Sequence, residues 1–115
     1  MKAEQLPSTA KWRYAVTAVI HDVSRVNDYL DWLLNGHVAD VCKWAADAEV
    51  VHLSVGDDHS PSNRVMSVYW FNTKADYQRY EREGAPSLRD EGIEFTTQIG
   101  GVTFERDVGW SYRVG

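Results

Sequence analysis

The sequence of 115 residues predicts an α+β domain, in which a four-stranded antiparallel sheet carries two helices on one face. Four segments are rich in β-branched and aromatic residues, which favours strands. Two further segments have apolar residues at helical spacing. Their order along the chain is strand, helix, strand, strand, helix, strand, which is the split βαβ arrangement.

The four strands are predicted from short runs of strand-forming residues. WRYAVTAVI at 12–20 gives the first strand, with side chains of low polarity on both faces. VVHLSV at 50–55 and RVMSVYWF at 64–71 flank a polar, turn-forming segment and predict an antiparallel hairpin. GGVTFERD at 100–107 predicts the last strand, and the aromatic tail VGWSYRVG is expected to pack on a partner.

The helices are predicted at 28–44 and from a cap at Asn72 or Thr73 to Gly84. Either Ser24 or Asn27 is expected to cap the first helix, which contains Gly36 and is expected to kink there or to approach a neighbour closely. Thr73 and Asp76 approximate a capping box for the second helix. Pro86 then predicts only a short turn at 87–91.

Composition limits the domain organisation and the location. Residues 1–11 are polar and are expected to form a flexible lead-in, which leaves 12–115 as a single domain. The N-terminus lacks the apolar run of a signal peptide and no segment is apolar enough to span a membrane, so we expect a cytoplasmic protein. Cys42 is the only cysteine and is expected to be a buried, inert thiol.

Charge and aromatic content indicate the kind of partner. The net charge is -5 and the basic residues are scattered, so we expect no nucleic-acid partner. Five Trp and six Tyr are many for this length, and both residue types favour pockets and interfaces. The composition therefore favours a ligand cavity, a subunit interface or both.

The first helix places an ionisable side chain on its apolar stripe. Projection at about 100° per residue groups His37 with apolar residues that include Leu33, Leu34 and Val41. His37 is therefore expected to point into the body of the domain. A histidine there is either a packed core residue or part of a pocket.

The face of the sheet that the helices leave open also has an apolar character. Met66, Val68 and Trp70 share it with Ala15, Thr17 and Val19. A large apolar patch on a small protein usually marks an interface. We therefore expect a homodimer with two-fold symmetry in which the two sheets pack face to face.

Four segments resemble the dimeric α+β barrel superfamily, whose protomers have the ferredoxin-like fold, and within it a family of small proteins without an assigned activity. They are YAVTAVI at 14–20, YLDWLLNGHVADV at 29–41, VYWFNTKADYQRY at 68–80 and APSLRDEG at 85–92. The superfamily includes cofactor-free monooxygenases, polyketide cyclases, muconolactone isomerases and haem-dependent enzymes, so the resemblance implies a fold and no single reaction. Gly36 stands where relatives often carry an acidic residue, and the segment 92–101 is longer than usual.

The resemblance also implies a substrate cavity between helix and sheet, where His37 is expected to lie. An imidazole titrates near neutral pH, so His37 is a candidate general base, with Tyr14 and Tyr69 as hydrogen-bond partners that orient the substrate. The alternative is a neutral histidine that bonds a backbone carbonyl or a tyrosine and serves only to pack. The candidate substrate-binding residues are Val16, Leu33, Leu34, Val41, Ser67 and Arg89.

Other side chains give weaker indications. Arg89 would either clamp an anionic ligand or form an ion pair that fixes its turn. His52 and His59 lack the spacing of a metal site, so no metal is expected. Haem ligation by His37 is an open alternative that no other residue supports, and we expect no cofactor.

Two functions are consistent with these observations. The first is a cofactor-independent enzyme of the cyclase, isomerase, lyase or monooxygenase type that acts on a small aromatic or polyketide-like molecule. The second is a non-catalytic ligand-binding or accessory dimer in which His37 is structural. The second predicts a closed core at His37 without a ligand-sized cavity.

Overall fold

The computed structural model describes residues 10–57 and 59–114, so most of the expected lead-in lies outside the described residues. The strands are β1 (Lys11–Ile20), β2 (Asp47–Val55), β3 (Ser60–Phe71) and β4 (Val102–Ser111), and the helices are α1 (Val26–Trp32), α2 (Val38–Val41), α3 (Lys74–Glu83) and α4 (Ala85–Gln98). A 3₁₀ turn at Val23–Arg25 precedes α1, and a π-turn at Leu33–His37 joins α1 to α2.

The four strands form one antiparallel sheet in the order β2-β3-β1-β4, which confirms the ferredoxin-like fold class. The hairpin turn is tighter than the sequence suggested, because β2 and β3 pair out to Val55 and Ser60. Gly56 and His59 both have a φ of 58° and so supply the left-handed backbone that the turn needs. β3 therefore begins earlier than predicted, whereas β2 ends at Val55 as predicted and is longer at its start, Asp47.

The segment from 26 to 41 is a kinked helix rather than a regular one. The 3₁₀ turn that leads into this helix is capped by Asp22, whose side chain accepts a hydrogen bond from the Ser24 backbone at 3.1 Å. Neither Ser24 nor Asn27 is therefore the cap. The backbone of Gly36 leaves helical geometry inside the π-turn. A Cβ atom on Gly36 would meet nothing within 4 Å, so the kink involves no close approach of the backbone to a neighbour.

The helix from Thr73 forms as predicted, but the segment after it does not. The Thr73 hydroxyl accepts a hydrogen bond from the Asp76 backbone at 3.0 Å, and Gly84 ends α3. The expected short turn at 87–91 is wrong, because α4 continues for 14 residues to Gln98. Pro86 lies in the first turn of α4, where its missing N–H breaks no helical hydrogen bond.

The last strand extends beyond Asp107 and takes in half of the aromatic tail. Within β4, Trp110 pairs with Trp12 of β1, and the two indoles meet edge-on with ring centroids 5.2 Å apart. The tail as far as Ser111 is therefore part of the sheet of its own chain.

The core lies between the sheet and the helices and consists of two clusters. The first gathers Trp12, Tyr14, Tyr69 and Phe71 from the sheet with Val41, Tyr80 and Leu88 from the helices. The second gathers Ala18, Ile20 and Val65 with Tyr29, Leu33 and Ile99. Between them the sheet presents the row Ser67 and Val16, which face each other across β3 and β1. These two small side chains leave space between the clusters.

The opposite face of the sheet carries no element within the described residues. Val68 and Ala15 are nevertheless buried on it, at 3% and 2% exposure, while Met66 and Trp70 are half-buried. No helix in the described part of the chain has the length and apolar character needed to cross a membrane.

Candidate functional site

A cavity of about 530 Å³ lies between the sheet and the helical layer. Its sheet side is formed by Tyr14, Val16, Ser67, Tyr69, Phe104 and Arg106. Its helical side is formed by Tyr29, Trp32, Leu33, His37, Val41, Tyr80, Leu88, Arg89, Gly92 and Ile93. The volume falls within the range of small-molecule sites, which are typically about 300–1,000 Å³.

His37 lies at the C-terminal end of the π-turn and lines this cavity. Its Nδ1 atom is buried and has no hydrogen-bond partner among the described residues. Its ring stacks on Trp32, with centroids 4.2 Å apart and an interplanar angle of 20°. Buried polar atoms in proteins are nearly always hydrogen-bonded, so the unpartnered Nδ1 atom is an exception, and its burial keeps it out of contact with the cavity space.

Burial lowers the pKa of His37 below its ordinary value of 6.5, an effect that the nearby Asp40 carboxylate opposes. The imidazole is therefore neutral at pH 7 and has one ring nitrogen able to accept a proton. Asp40 itself pairs with Lys43 at 3.2 Å.

Three tyrosines of the cavity, Tyr69, Tyr29 and Tyr80, are hydrogen-bond donors at neutral pH. Burial raises the pKa of Tyr69 well above its ordinary value, although a hydrogen bond with Ser67 opposes the shift. Burial likewise raises the pKa values of Tyr29 and Tyr80. These phenols therefore stay protonated and can donate to an oxygen of a bound molecule.

Two arginines line the cavity beside Tyr14. The Nε atom of Arg106 donates to the Tyr14 hydroxyl at 3.2 Å. Arg89 forms an ion pair with Glu81, with its Nη2 atom 2.7 Å and 2.9 Å from the two carboxylate oxygens. Burial alone would lower the pKa of Arg89, but the bond with Glu81 raises it, so the side chain stays charged.

The structure brings together all but one of the predicted site residues. Leu34 does not line the cavity and is 63% exposed. The π-turn that begins at Leu33 has more residues per turn than an α-helix and so changes the direction in which the side chains point. Projection of the helix at a constant angle per residue therefore placed Leu34 on the wrong side.

Several lining residues were absent from the sequence prediction. Arg106 could not be recognised from the sequence, because only its pairing with Val16 across β4 and β1 places it on the side of the sheet that faces the helices. Gly92 and Ile93 were missed because α4 was not recognised. Projection of the first helix at about 100° per residue places Trp32 away from the apolar stripe that contains His37, yet it lines the cavity.

The remaining candidates lie elsewhere. The Nε2 atom of His52 is 2.6 Å from the Ser62 carbonyl oxygen, to which it donates across the hairpin. Among the described residues, no group of three or more His, Cys, Asp or Glu side chains could hold a metal ion. Cys42 is exposed, which corrects the expectation of a buried thiol. Partial desolvation of the thiol and the nearby Asp47 carboxylate raise its pKa. Cys42 lies one residue beyond the buried Val41, where the chain leaves α2.

No protein-family model and no curated protein matches this chain. It is similar to a NIPSNAP family protein of unknown function from Agrobacterium tumefaciens, with 12% identity, a TM-score of 0.65 and 91% of each chain covered. It is similar to a dimeric ferredoxin-like protein from an uncultured marine organism, with 11% identity, a TM-score of 0.60, and 92% of this chain and 99% of the other covered.

A third similar structure is the monooxygenase from the gene ActVA-Orf6 of Streptomyces coelicolor in complex with nanaomycin D. Identity is 12%, the TM-score is 0.58, and 99% of this chain and 96% of the other are covered. At such identities the likeness shows the fold alone. The chain thus has the ferredoxin-like fold of the dimeric α+β barrel proteins, which confirms the resemblance at the level of fold.

Proposed function

We propose that this protein binds a small aromatic or polyketide-like molecule in the cavity and catalyses a proton transfer on it without a cofactor. The observation that carries this proposal is that His37, whose Nδ1 atom has no hydrogen-bond partner within the described residues, lines a cavity of about 530 Å³. A packed histidine of the alternative kind would bond a backbone carbonyl or a tyrosine, and the Nδ1 atom of His37 does neither within the described residues.

The proposed step is removal of a proton from a carbon acid or a phenol. The C–H or O–H bond breaks, the proton passes to the neutral imidazole of His37, and the electron pair stays on the substrate as an enolate or phenolate. The hydroxyl of Tyr69 or Tyr14 donates to the oxygen on which the negative charge develops. Return of the proton at another carbon gives an isomerisation, whereas a monooxygenase reaction would also require dioxygen as co-substrate.

The lining of the cavity supports an aromatic substrate. Tyr69, Tyr80 and Trp32 present ring surfaces, and Leu33 and Val41 add aliphatic ones. Aromatic rings pack well against such walls through offset or edge contacts. A structure of similar fold holds nanaomycin D, which is consistent with this class of ligand.

We further propose that two copies of the chain pair through the open face of the sheet. Met66 and Trp70 are half-buried there beside the buried Val68, and no described element covers them. A solved structure of similar fold is described as dimeric. Pairing two such faces would remove their apolar surface from water.

Proton exchange on simple carbon acids tests the enzymatic proposal. Anthrone and 1-phenylbutane-1,3-dione are incubated in D₂O with the protein, and loss of their methylene proton signals is followed by NMR. We expect the wild type to accelerate exchange and His37→Gln to lose about a hundredfold or more of that acceleration.

His21→Gln is the matched control, because His21 is exposed and bonds Thr103 away from the cavity. It is expected to exchange like the wild type. Equal exchange by His37→Gln and the wild type would refute the role of His37, and no acceleration of either probe would refute the substrate class.

One observation favours the alternative of a ligand-binding protein with a structural His37. The stacking of His37 on Trp32 is a packing contact that a structural residue would make. This alternative predicts that His37→Gln unfolds at a clearly lower temperature, while ligand binding and exchange rates stay the same in the variants that fold. The enzymatic proposal predicts instead that His37→Gln loses most of the exchange acceleration while its unfolding temperature stays close to that of the wild type.

A further inference from the structure

The charge of the cavity lining is opposite in sign to the net charge of the whole chain. The whole chain has a net charge of -5, yet the cavity is lined by two arginines and by no aspartate or glutamate. With His37 neutral, the charged groups of the lining are the guanidinium groups of Arg89 and Arg106. An acidic protein has thus placed positive charge at its candidate site.

Arg106 carries the excess positive charge. Arg89 is compensated by the Glu81 carboxylate, whereas no carboxylate among the described residues lies within ion-pair distance of Arg106. The guanidinium of Arg106 is held in place all the same, because it donates to the Tyr14 hydroxyl and lies 5.2 Å from the ring centroid of Phe104.

Arg106 lies where it can contact both solvent and a molecule bound in the cavity. It belongs to β4 at the edge of the sheet, pairs with Val16 in β1 and has a substantial exposed fraction. Its Nε is engaged by Tyr14, which leaves the donors of its two terminal nitrogens for a further acceptor. A planar guanidinium with free donors is suited to bind a carboxylate through two parallel hydrogen bonds.

We propose that the ligand of this cavity is an aromatic anion, a ring that bears a carboxylate or an acidic phenol, and that Arg106 binds its anionic oxygen. The ring lies against the aromatic and aliphatic lining, and the anionic group lies at the β4 edge. This assignment rests on the proposed small-molecule function and adds the chemical class of the substrate and the residue that selects it.

A pair of probes that differ only in charge tests the assignment. Naphthalene-2-carboxylate and naphthalene-2-carboxamide have the same ring and nearly the same shape, and their affinities are measured by isothermal titration calorimetry. We expect the carboxylate to bind the wild type about tenfold more tightly, because a hydrogen bond to a charged group is the stronger one. Arg106→Gln is expected to remove this preference and to leave the affinity for the carboxamide unchanged.

Two further variants control the measurement. Arg64→Gln also removes one positive charge, but Arg64 pairs with Glu105 on the opposite face of the sheet, so the tenfold preference is expected to remain. Arg106→Lys keeps the charge without the planar pair of donors and is expected to retain part of the preference. Thermal unfolding of each variant shows that it is folded before binding is measured.

Equal affinities of the wild type for the two probes would overturn the assignment, as would a preference that Arg106→Gln leaves intact. Binding of neither probe would overturn it as well. These outcomes are separate from the proton-exchange test, which uses uncharged carbon acids and depends on His37. Acceleration of exchange without a preference for the carboxylate would refute Arg106 as the anion-binding residue and leave the catalytic proposal standing.

Discussion

The imidazole of His37 lies flat against the indole of Trp32, with ring centroids 4.2 Å apart. Trp32 in turn stacks on Phe95 of α4 at 4.9 Å, with the two rings only 9° from parallel. The candidate base is therefore held by a stack of three rings that joins the kinked helix to α4. Its orientation depends on two elements distant in sequence.

Trp32→Leu is expected to loosen His37 without removing it. The aliphatic side chain cannot reproduce the stacking, so the imidazole gains freedom and contact with water. We expect proton exchange to fall severalfold, the pKa of His37 to move back towards 6.5 and the free energy of unfolding to drop by about 1–2 kcal/mol. The rate, NMR titration of His37 and urea unfolding measure the three effects.

Trp32→Phe is the matched variant, since it keeps an aromatic ring at the same position. It is expected to retain most of the exchange activity and most of the stability. Wild-type exchange and an unchanged His37 titration in Trp32→Leu would show that the stack does not hold the base.

The depressed pKa of His37 predicts a pH dependence of stability. The unfolded chain takes up its proton near pH 6.5, whereas the folded chain takes it up only at lower pH. Between these two values the unfolded state binds more protons, so the free energy of unfolding decreases as the pH falls below about 6.5. His37→Gln is expected to lose this contribution, and urea unfolding at pH values above and below about 6.5 measures it.

The same shift predicts the acid limb of activity. Proton abstraction requires neutral His37, so the exchange rate is expected to fall only when the pH drops below the lowered pKa. NMR titration that places the pKa of His37 at or above 6.5 would contradict both the stability and the activity predictions.

Much of the sheet could be predicted because the strands carry their own signal. The run at 14–20 combines Val, Thr and Ile with alternating faces, and Thr73 with Asp76 marked a helix start that the structure contains. Local side-chain chemistry decides these features, so a single sequence reveals them. Their assembly into one sheet with the helices on one side followed from the order of elements.

Helix α4 could not be recognised because its buried stripe consists largely of small residues. Ala85, Gly92 and Thr96 are buried beside only one large side chain of the stripe, Leu88, and Gly and Thr are weak helix formers. The contacts of α4 with α3, with α2 and with Trp32 stabilise it, and these depend on the tertiary structure.

The site was predictable to the extent that its residues lie on the predicted elements. Val16 and Ser67 followed from strand alternation, whereas Leu34 was misplaced by the π-turn. Arg106 resembles any surface arginine in the sequence, and only the pairing of β4 with β1 brings it to the cavity.

Gly84 is expected to be intolerant of even the smallest side chain. A Cβ atom there would lie 2.6 Å from the Nε1 atom and 2.7 Å from the Cε2 atom of Trp44. The ring packs beside the core and would have to move, so Gly84→Ala is expected to reduce the free energy of unfolding by about 1–3 kcal/mol. Urea unfolding gives the value.

Gly92→Ala is the matched control, since its Cβ would lie 3.5 Å from the Cη2 atom of Trp32, an ordinary contact inside α4. Because alanine is the better helix former, this variant is expected to be as stable as the wild type or more stable by about 0.5–1 kcal/mol. Equal stabilities of the two alanine variants would show that Trp44 yields without loss.

Met66 lies at the centre of the open sheet face, in register with Thr17 of β1 and Val51 of β2. If two copies pair through this face, a charge there would have to be buried between the sheets without a partner, at a cost of several kcal/mol. Met66→Glu is therefore expected to sediment as a monomer at a micromolar concentration at which the wild type is a dimer. Leu34→Glu adds the same charge to the exposed helical layer and is expected to stay dimeric. A wild type that sediments as a monomer, or a dimer that Met66→Glu leaves intact, would refute pairing through this face.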